Sequence, residues 1–192
     1  MLFRSQMNPH FIFNALSSIN GFILNNQPTE AADYLARFSR LVRMVLELSS
    51  RQSILLQDEI KMLRLYLEME SLRFRNRFTW EICEDPDLGN VLVPPLIFQP
   101  FCENAIWHGL LHKDGPGSLS IVFSKEQNIL SCVITDDGVG RAMASTLDRP
   151  GKGRRLGLSI TAERLSLFNQ SSFEIEDLQK GTGVNIKIKL HD

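Results

Sequence analysis

A chain of 192 residues with 43% apolar side chains can bury one full core or two modest ones. Its 21 Lys and Arg stand against 22 Asp and Glu, a balance that leaves no bulk field to attract nucleic acid or anionic lipid. Cys83, Cys102 and Cys132 are odd in number and lack Cys-x-x-Cys spacing, which disfavours a disulfide framework or a zinc site, and no apolar run approaches the roughly 20 residues of a membrane span.

Residues 2–26 carry Ile12, Leu16, Ile19 and Ile23, and residues 29–50 carry Tyr34, Phe38, Leu41, Val45 and Leu48. Steps of three and four place each set on one helical stripe. Between them, Asn25-Asn26-Gln27-Pro28-Thr29 predicts a turn in which Pro28 stops the first helix and Thr29 caps the second. The product is an antiparallel hairpin. Two helices alone leave half of each stripe uncovered, which favours a homodimeric four-helix bundle over packing of the stripes on the rest of the same chain. The chain reads as helical from Leu2 onward with no capping residue before it, so the natural protein is expected to continue upstream, with this piece soluble in a reducing cytoplasm.

Leu56, Ile60, Leu63 and Leu67 extend the same spacing into a third helix ending near Phe74-Arg75-Asn76. Residues 78–82 then read as a strand, and Asp85-Pro86-Asp87-Leu88-Gly89-Asn90 as a loop. Pro94-Pro95 blocks helix just before an apolar helix expected over 96–111. Strands are expected at 119–124, 130–135 and 184–190, with a helix at 159–169. The change of period sets a boundary at 72–78. Residues 1–75 then form a helical dimerisation segment and residues 76–192 an α/β sandwich, so the fold class is α+β.

His10 is the first residue with chemistry to offer. Asn8-Pro9 before it reads either as a helix cap followed by proline at the first helical position, or as a proline kink beside the imidazole. Asn14, one turn on, can orient a water or a phosphate near the ring. Glu103, Asn104 and His108 sit in the apolar stretch 96–111, where polar groups cost stability unless partnered, so they ask for a ligand or metal. The Asn104 amide oxygen suits Mg2+, and Glu103 can hold a water or accept a proton.

Asp136-Asp137-Gly138-Val139-Gly140 follows a strand, and a carboxylate at such a strand end can accept a hydrogen bond from the exocyclic amine of adenine. Gly151-Lys152-Gly153-Arg154-Arg155-Leu156-Gly157-Leu158 opens the helix at 159–169, where free amides and positive charge can cradle phosphates. Residues 140–156 read as a mobile lid. Thr182, within Gly181-Thr182-Gly183, can donate to a phosphate or lie in an ordinary loop.

Together these segments resemble the LytS-like sensor histidine kinases, which join a phosphoacceptor hairpin to an ATPase domain of the gyrase, Hsp90, histidine kinase and MutL (GHKL) type. Gln6 to Leu16 is similar to the family's H-box and Pro94 to Ala105 to its N-box. The resemblance implies His10 as phosphoacceptor, with Asn14 and Glu103 assisting, and Asn104 as Mg2+ ligand. It implies Asp136 as adenine reader, Gly138, Gly140, Gly153 and Gly157 as lid hinges, and His108, Arg155, Leu158 and Thr182 beside the ATP. A response regulator is the implied partner, and an upstream sensor region the implied tie to the cytoplasmic face of the inner membrane. Three residues depart from the pattern. Trp107 stands where a basic residue is usual, Arg155 where a lid glycine is common, and Phe11, as in this family, where other histidine kinases place an acid. Two rival readings follow: a nucleotide-binding pseudokinase scaffold, and a plain ATPase in which Glu103 activates water.

Overall fold

The computed structural model describes residues 9–147, 161–168 and 171–190. The hairpin is α1 (Pro9–Leu24) and α2 (Pro28–Leu48). Pro28 starts α2 rather than stopping α1, and Gln27 occupies the cap position expected for Thr29. The reason is local: proline lacks only an N–H that the first helical turn leaves unpaired anyway, and its fixed φ suits helix. Asn26 at φ 58 makes the turn.

The two apolar stripes meet different fates. On α2, Tyr34, Leu41 and Val45 are buried within the chain, and Phe38 and Leu48 pack partly against the same core. On α1, Phe11 and Ala15 turn inward, whereas Ile12, Leu16 and Ile23 remain 37%, 50% and 59% exposed. Phe11 lies 6.1 Å from Phe38 of α2 and 5.6 Å from Tyr66, centroid to centroid.

Tyr66 belongs to α3 (Leu56–Arg73), which follows the two-residue β1 (Ile54–Leu55). Next come β2 (Phe78–Glu84) and β3 (Leu92–Val93), which pairs antiparallel with β1. α4 runs only over Gln99–Asn104, continuing as a π turn (Ala105–Gly109) and a 3-10 turn (Leu110–His112). The single helix expected over 96–111 is therefore corrected. Leu96 adopts φ 56 after the two prolines, and the amides of Leu96, Ile97 and Phe98 bond to the Glu59 side chain instead of entering a helix.

β4 (Gly117–Glu126), β5 (Ile129–Asp136), α5 (Gly140–Leu147), helical residues 161–167 (α6), β6 (Ser172–Asp177) and β7 (Thr182–Lys189) complete the chain. The sheet order is β2-β4-β5-β7-β6, with β2 and β4 parallel and the other pairs antiparallel. Leu119, Ile121, Phe123, Leu130, Cys132, Ile134, Val184, Ile186 and Ile188 alternate along their strands into one core with residues of α3, α4 and α6. Phe98 meets Phe123 edge-on at 5.0 Å, and Phe101 meets Phe173 at 4.9 Å.

Residues 140–147, the start of the segment expected as a lid, form α5, where Gly140 at φ 75 makes the bend and Ala142 and Met143 favour helix; residues 148–156 lie outside the described residues. β6 has a weak signal in the sequence, because Phe173 and Ile175 alternate with Glu174 and Glu176 on a short edge strand. Among the described residues, no helix is long and apolar enough to cross a membrane.

Candidate functional site

The site is built around the end of β5. Asp136 is 4% exposed, and the Gly138 amide donates to its Oδ1 at 2.9 Å. Asp136 pairs in register with Thr182 of β7, whose backbone also bonds to the carboxylate. Burial raises the Asp136 carboxyl from 3.8 to about 6, the two backbone bonds pull it down, and the charge of Asp137 pushes it up.

Asp136 is hemmed by backbone that tolerates no side chains. A Cβ on Gly109 would stand 2.7 Å from Asp136 Oδ1, one on Gly181 would stand 1.8 Å from the Asp136 carbonyl oxygen, and one on Gly138 would stand 2.4 Å from the Gly109 carbonyl carbon. Gly138 is thus a close-packing glycine, whereas Gly140 at φ 75 and Gly181 at φ 82 have left-handed backbone. The Val139 amide donates to the Gly109 carbonyl at 3.3 Å. Asp137 faces the other way: Lys113 Nζ lies 2.7 Å from its Oδ2, and the Ser118 amide donates to its Oδ1 at 2.8 Å. These bonds hold its carboxyl below the usual range against the opposing effect of burial.

Through Gly109, Asp136 touches the segment that carries the other polar residues. Glu103 and Asn104 end α4, His108 lies in the π turn, and all three are half-buried. A π turn inserts an extra residue into the helix, re-aiming the side chains that follow. Asp136, Gly138, Gly140, Thr182 and the 103–109 segment therefore form one neighbourhood. Asn14 lies instead on α1 with the hairpin, and His10 enters only as a helical backbone position. Gly153, Arg155, Gly157 and Leu158 lie outside the described residues.

Trp107 is held by α3. The Arg73 guanidinium lies 4.6 Å from the Trp107 ring and 4.9 Å from that of Phe74, while Phe74 meets Trp107 edge-on at 5.3 Å. The buried Glu70 carboxylate stands 3.6 Å from Arg73 Nη1, and its Oε2 has no hydrogen-bond partner among the described residues. Gly109, Gly181, Glu59 and Glu70 escaped notice as site residues in the sequence. For the two acids the signal existed: both share the spacing of Leu56, Ile60, Leu63 and Leu67, so each is a carboxylate on an apolar stripe.

Among the described residues, no group of three or more His, Cys, Asp or Glu could hold a metal ion. The donor set is one amide oxygen beside carboxylates, which fits a Mg2+ ion that arrives on phosphates and needs one or two protein oxygens.

A family model described as histidine kinase matches residues 1–78. The sensor protein LytS of Oceanobacillus iheyensis is 30% identical over 191 residues, covering 94% of this chain and 32% of that protein. The chain thus spans about a third of such a relative's length. The histidine kinase domain of the blue-light activated histidine kinase EL346 of Erythrobacter litoralis superposes with a TM-score of 0.56 at 16% identity, covering 92% of this chain and 91% of that chain. Histidine kinase ThkA, solved in complex with response regulator protein TrrA, gives a TM-score of 0.51 at 16% identity, over 95% of this chain and 60% of that chain. The helices-then-sheet architecture shares the GHKL-type fold of the solved histidine kinases, and by sequence the chain is similar to the LytS-like sensor histidine kinases.

Proposed function

We propose that this chain is the phosphotransfer and nucleotide-binding portion of a sensor histidine kinase, which moves the γ-phosphoryl group of ATP onto His10 and then onto a response-regulator aspartate. The observation that carries it is the glycine-walled Asp136 beside the Glu103–His108 segment, in a chain whose hairpin bears the H-box-like run ending at Leu16.

Asp136, ionised, accepts from the adenine amine, and the absence of Cβ atoms at Gly109, Gly138 and Gly181 lets those three backbone segments close around the carboxylate and hold it in place. Asn104 is the residue to hold Mg2+, which when bound neutralises phosphate charge. Lid residues Gly153, Arg155, Gly157 and Leu158 close over the phosphates with His108 and Thr182. Neutral His10 attacks the γ-phosphorus in line, the bond to the ADP oxygen breaks, and Glu103 or a neighbouring water takes the imidazole proton. Alignment is the main contribution of the protein, so the residues that hold the nucleotide must come onto the hairpin helix that carries His10. A response regulator is the partner, a reading supported by the kinase and regulator complex among the structural neighbours, and it docks on the four-helix bundle of a homodimer. In the whole protein an upstream sensor region ties this portion to the cytoplasmic face of the membrane.

Incubation with γ-labelled ATP and Mg2+ is expected to give acid-labile label on the wild type and none on His10→Gln. Label that persists in His10→Gln overturns the assignment. Steady phosphate release by His10→Gln, without label on either protein, identifies a plain ATPase. The packing of Trp107 into α3 favours one other reading, the nucleotide-binding scaffold, since it leaves position 107 without a cation. That reading predicts nucleotide uptake with no label at all.

A further inference from the structure

α3 carries two buried carboxylates that the proposed chemistry does not use. Glu59 and Glu70 are 2% and 1% exposed, and their spacing of about three helical turns puts them on one face. Each reaches the segment that bears Glu103 and Asn104, Glu70 through Arg73, and they reach it at opposite ends. Upstream, Glu59 Oε2 accepts from the Leu96 amide at 2.8 Å, and Oε1 accepts from the Ile97 amide at 2.8 Å and the Phe98 amide at 3.4 Å. On the far side of the same loop, the Arg164 guanidinium of α6 donates to the Pro95 carbonyl at 2.6 Å. Downstream, Glu70 stands 3.6 Å from Arg73 Nη1, and the Arg73 guanidinium stacks on the Trp107 indole face at 4.6 Å.

Burying two carboxylates is costly, and while both Glu59 oxygens are bonded, Glu70 Oε2 has no hydrogen-bond partner among the described residues, so a fold that retains both uses them to fix something a hydrophobic contact would leave free to slide. Here the fixed object is a short α turn followed by a π turn, with few intrahelical bonds of its own. α3 also packs on the hairpin: Tyr66 meets Phe11 of α1, and Glu68 pairs with Arg37 of α2.

We infer that Glu59 and Glu70 are positioning residues that clamp residues 96–107 at both ends onto α3, so that the pose of Glu103 and Asn104 is set by the helix that also carries the hairpin. The inference rests on the reading of residues 103–108 as a nucleotide-binding segment.

Three variants of the intact chain test it. Glu59→Gln keeps one oxygen for Ile97 and Phe98 but turns an NH2 toward the Leu96 amide; Glu59→Ala removes all three bonds; Trp107→Phe shrinks the ring on which Arg73 stacks. Calorimetry with MgATP is expected to show Kd raised roughly tenfold in Glu59→Gln, more in Glu59→Ala and several-fold in Trp107→Phe. KM for label uptake should rise in parallel while kcat falls less. Ile188→Ala, a core residue at the opposite end of β7 from Thr182, serves as a control of matched Tm loss with Kd unchanged. Kd within twofold of wild type in both Glu59→Gln and Trp107→Phe, or no greater rise than the control shows, overturns the clamp. Amide hydrogen exchange gives a readout independent of nucleotide: Glu59→Gln should speed exchange at 103–109 as well as at 96–98. If wild type takes up no MgATP, the functional reading falls, and unchanged exchange at 103–109 would overturn the clamp by itself.

Discussion

Asp136 shows how little room the site leaves around its central carboxylate. Three glycines from three separate segments approach it or one another at distances that exclude a methyl group. Gly138→Ala should therefore force the 136–140 loop away from Gly109, at a cost of about 1–3 kcal/mol for overpacking. At roughly 2–4 °C of Tm per kcal/mol for a chain of this size, thermal denaturation would resolve the loss. An unchanged Tm would mean that the loop yields without strain. Asp136 and Gly138 were legible from the sequence because an aspartate at a strand end followed by two closely spaced glycines is a local pattern. Gly109 was not, since its reason for being glycine is an oxygen 27 positions later in the chain.

At the scale of elements, α3 carries the electrostatic oddity of the molecule. Burial raises Glu59 and Glu70 each from 4.5 to about 7, against the lowering by backbone amides in one case and by Arg73 in the other. A carboxyl with a raised folded pKa binds its proton more tightly in the native state than in the unfolded chain. The stability this contributes is complete below the ordinary carboxyl range and is lost as pH rises through about 7. Asp137 has the opposite sign, and its contribution is lost only in stronger acid. The urea midpoint should accordingly fall between about pH 5.5 and about pH 8, and Glu70→Gln should flatten that fall; an equal slope in both proteins would refute it. The extent of α3 was readable from its apolar spacing, as was the hairpin before it. Where α4 begins was not, because the competing partner for its first amides is a side chain from another helix.

At the scale of the whole molecule, the hairpin presents an uncovered apolar edge. Ile12, Leu16 and Ile23 line up on α1 with Phe13 and Leu24 also largely exposed, while the inward face is already occupied by α2 and α3. A second copy applied along this edge would complete the proposed four-helix bundle. Leu16→Glu with Ile23→Glu is expected to shift sedimentation from dimer to monomer at micromolar concentration, with Tm of the sheet-bearing half little changed. A wild-type monomer under the same conditions would sink the bundle.

Local patterns sufficed for the hairpin helices, α3, the central strands and the GHKL type, because period, turn residues and motif spacing are properties of neighbours in the chain. The order β2-β4-β5-β7-β6, the choice of which stripe faces inward, the break of the 96–111 helix and the stacking of Arg73 on Trp107 depend on residues far apart in the chain. Such features belong to the tertiary structure, since a buried amide, carboxylate or glycine takes its meaning from whatever the fold brings against it.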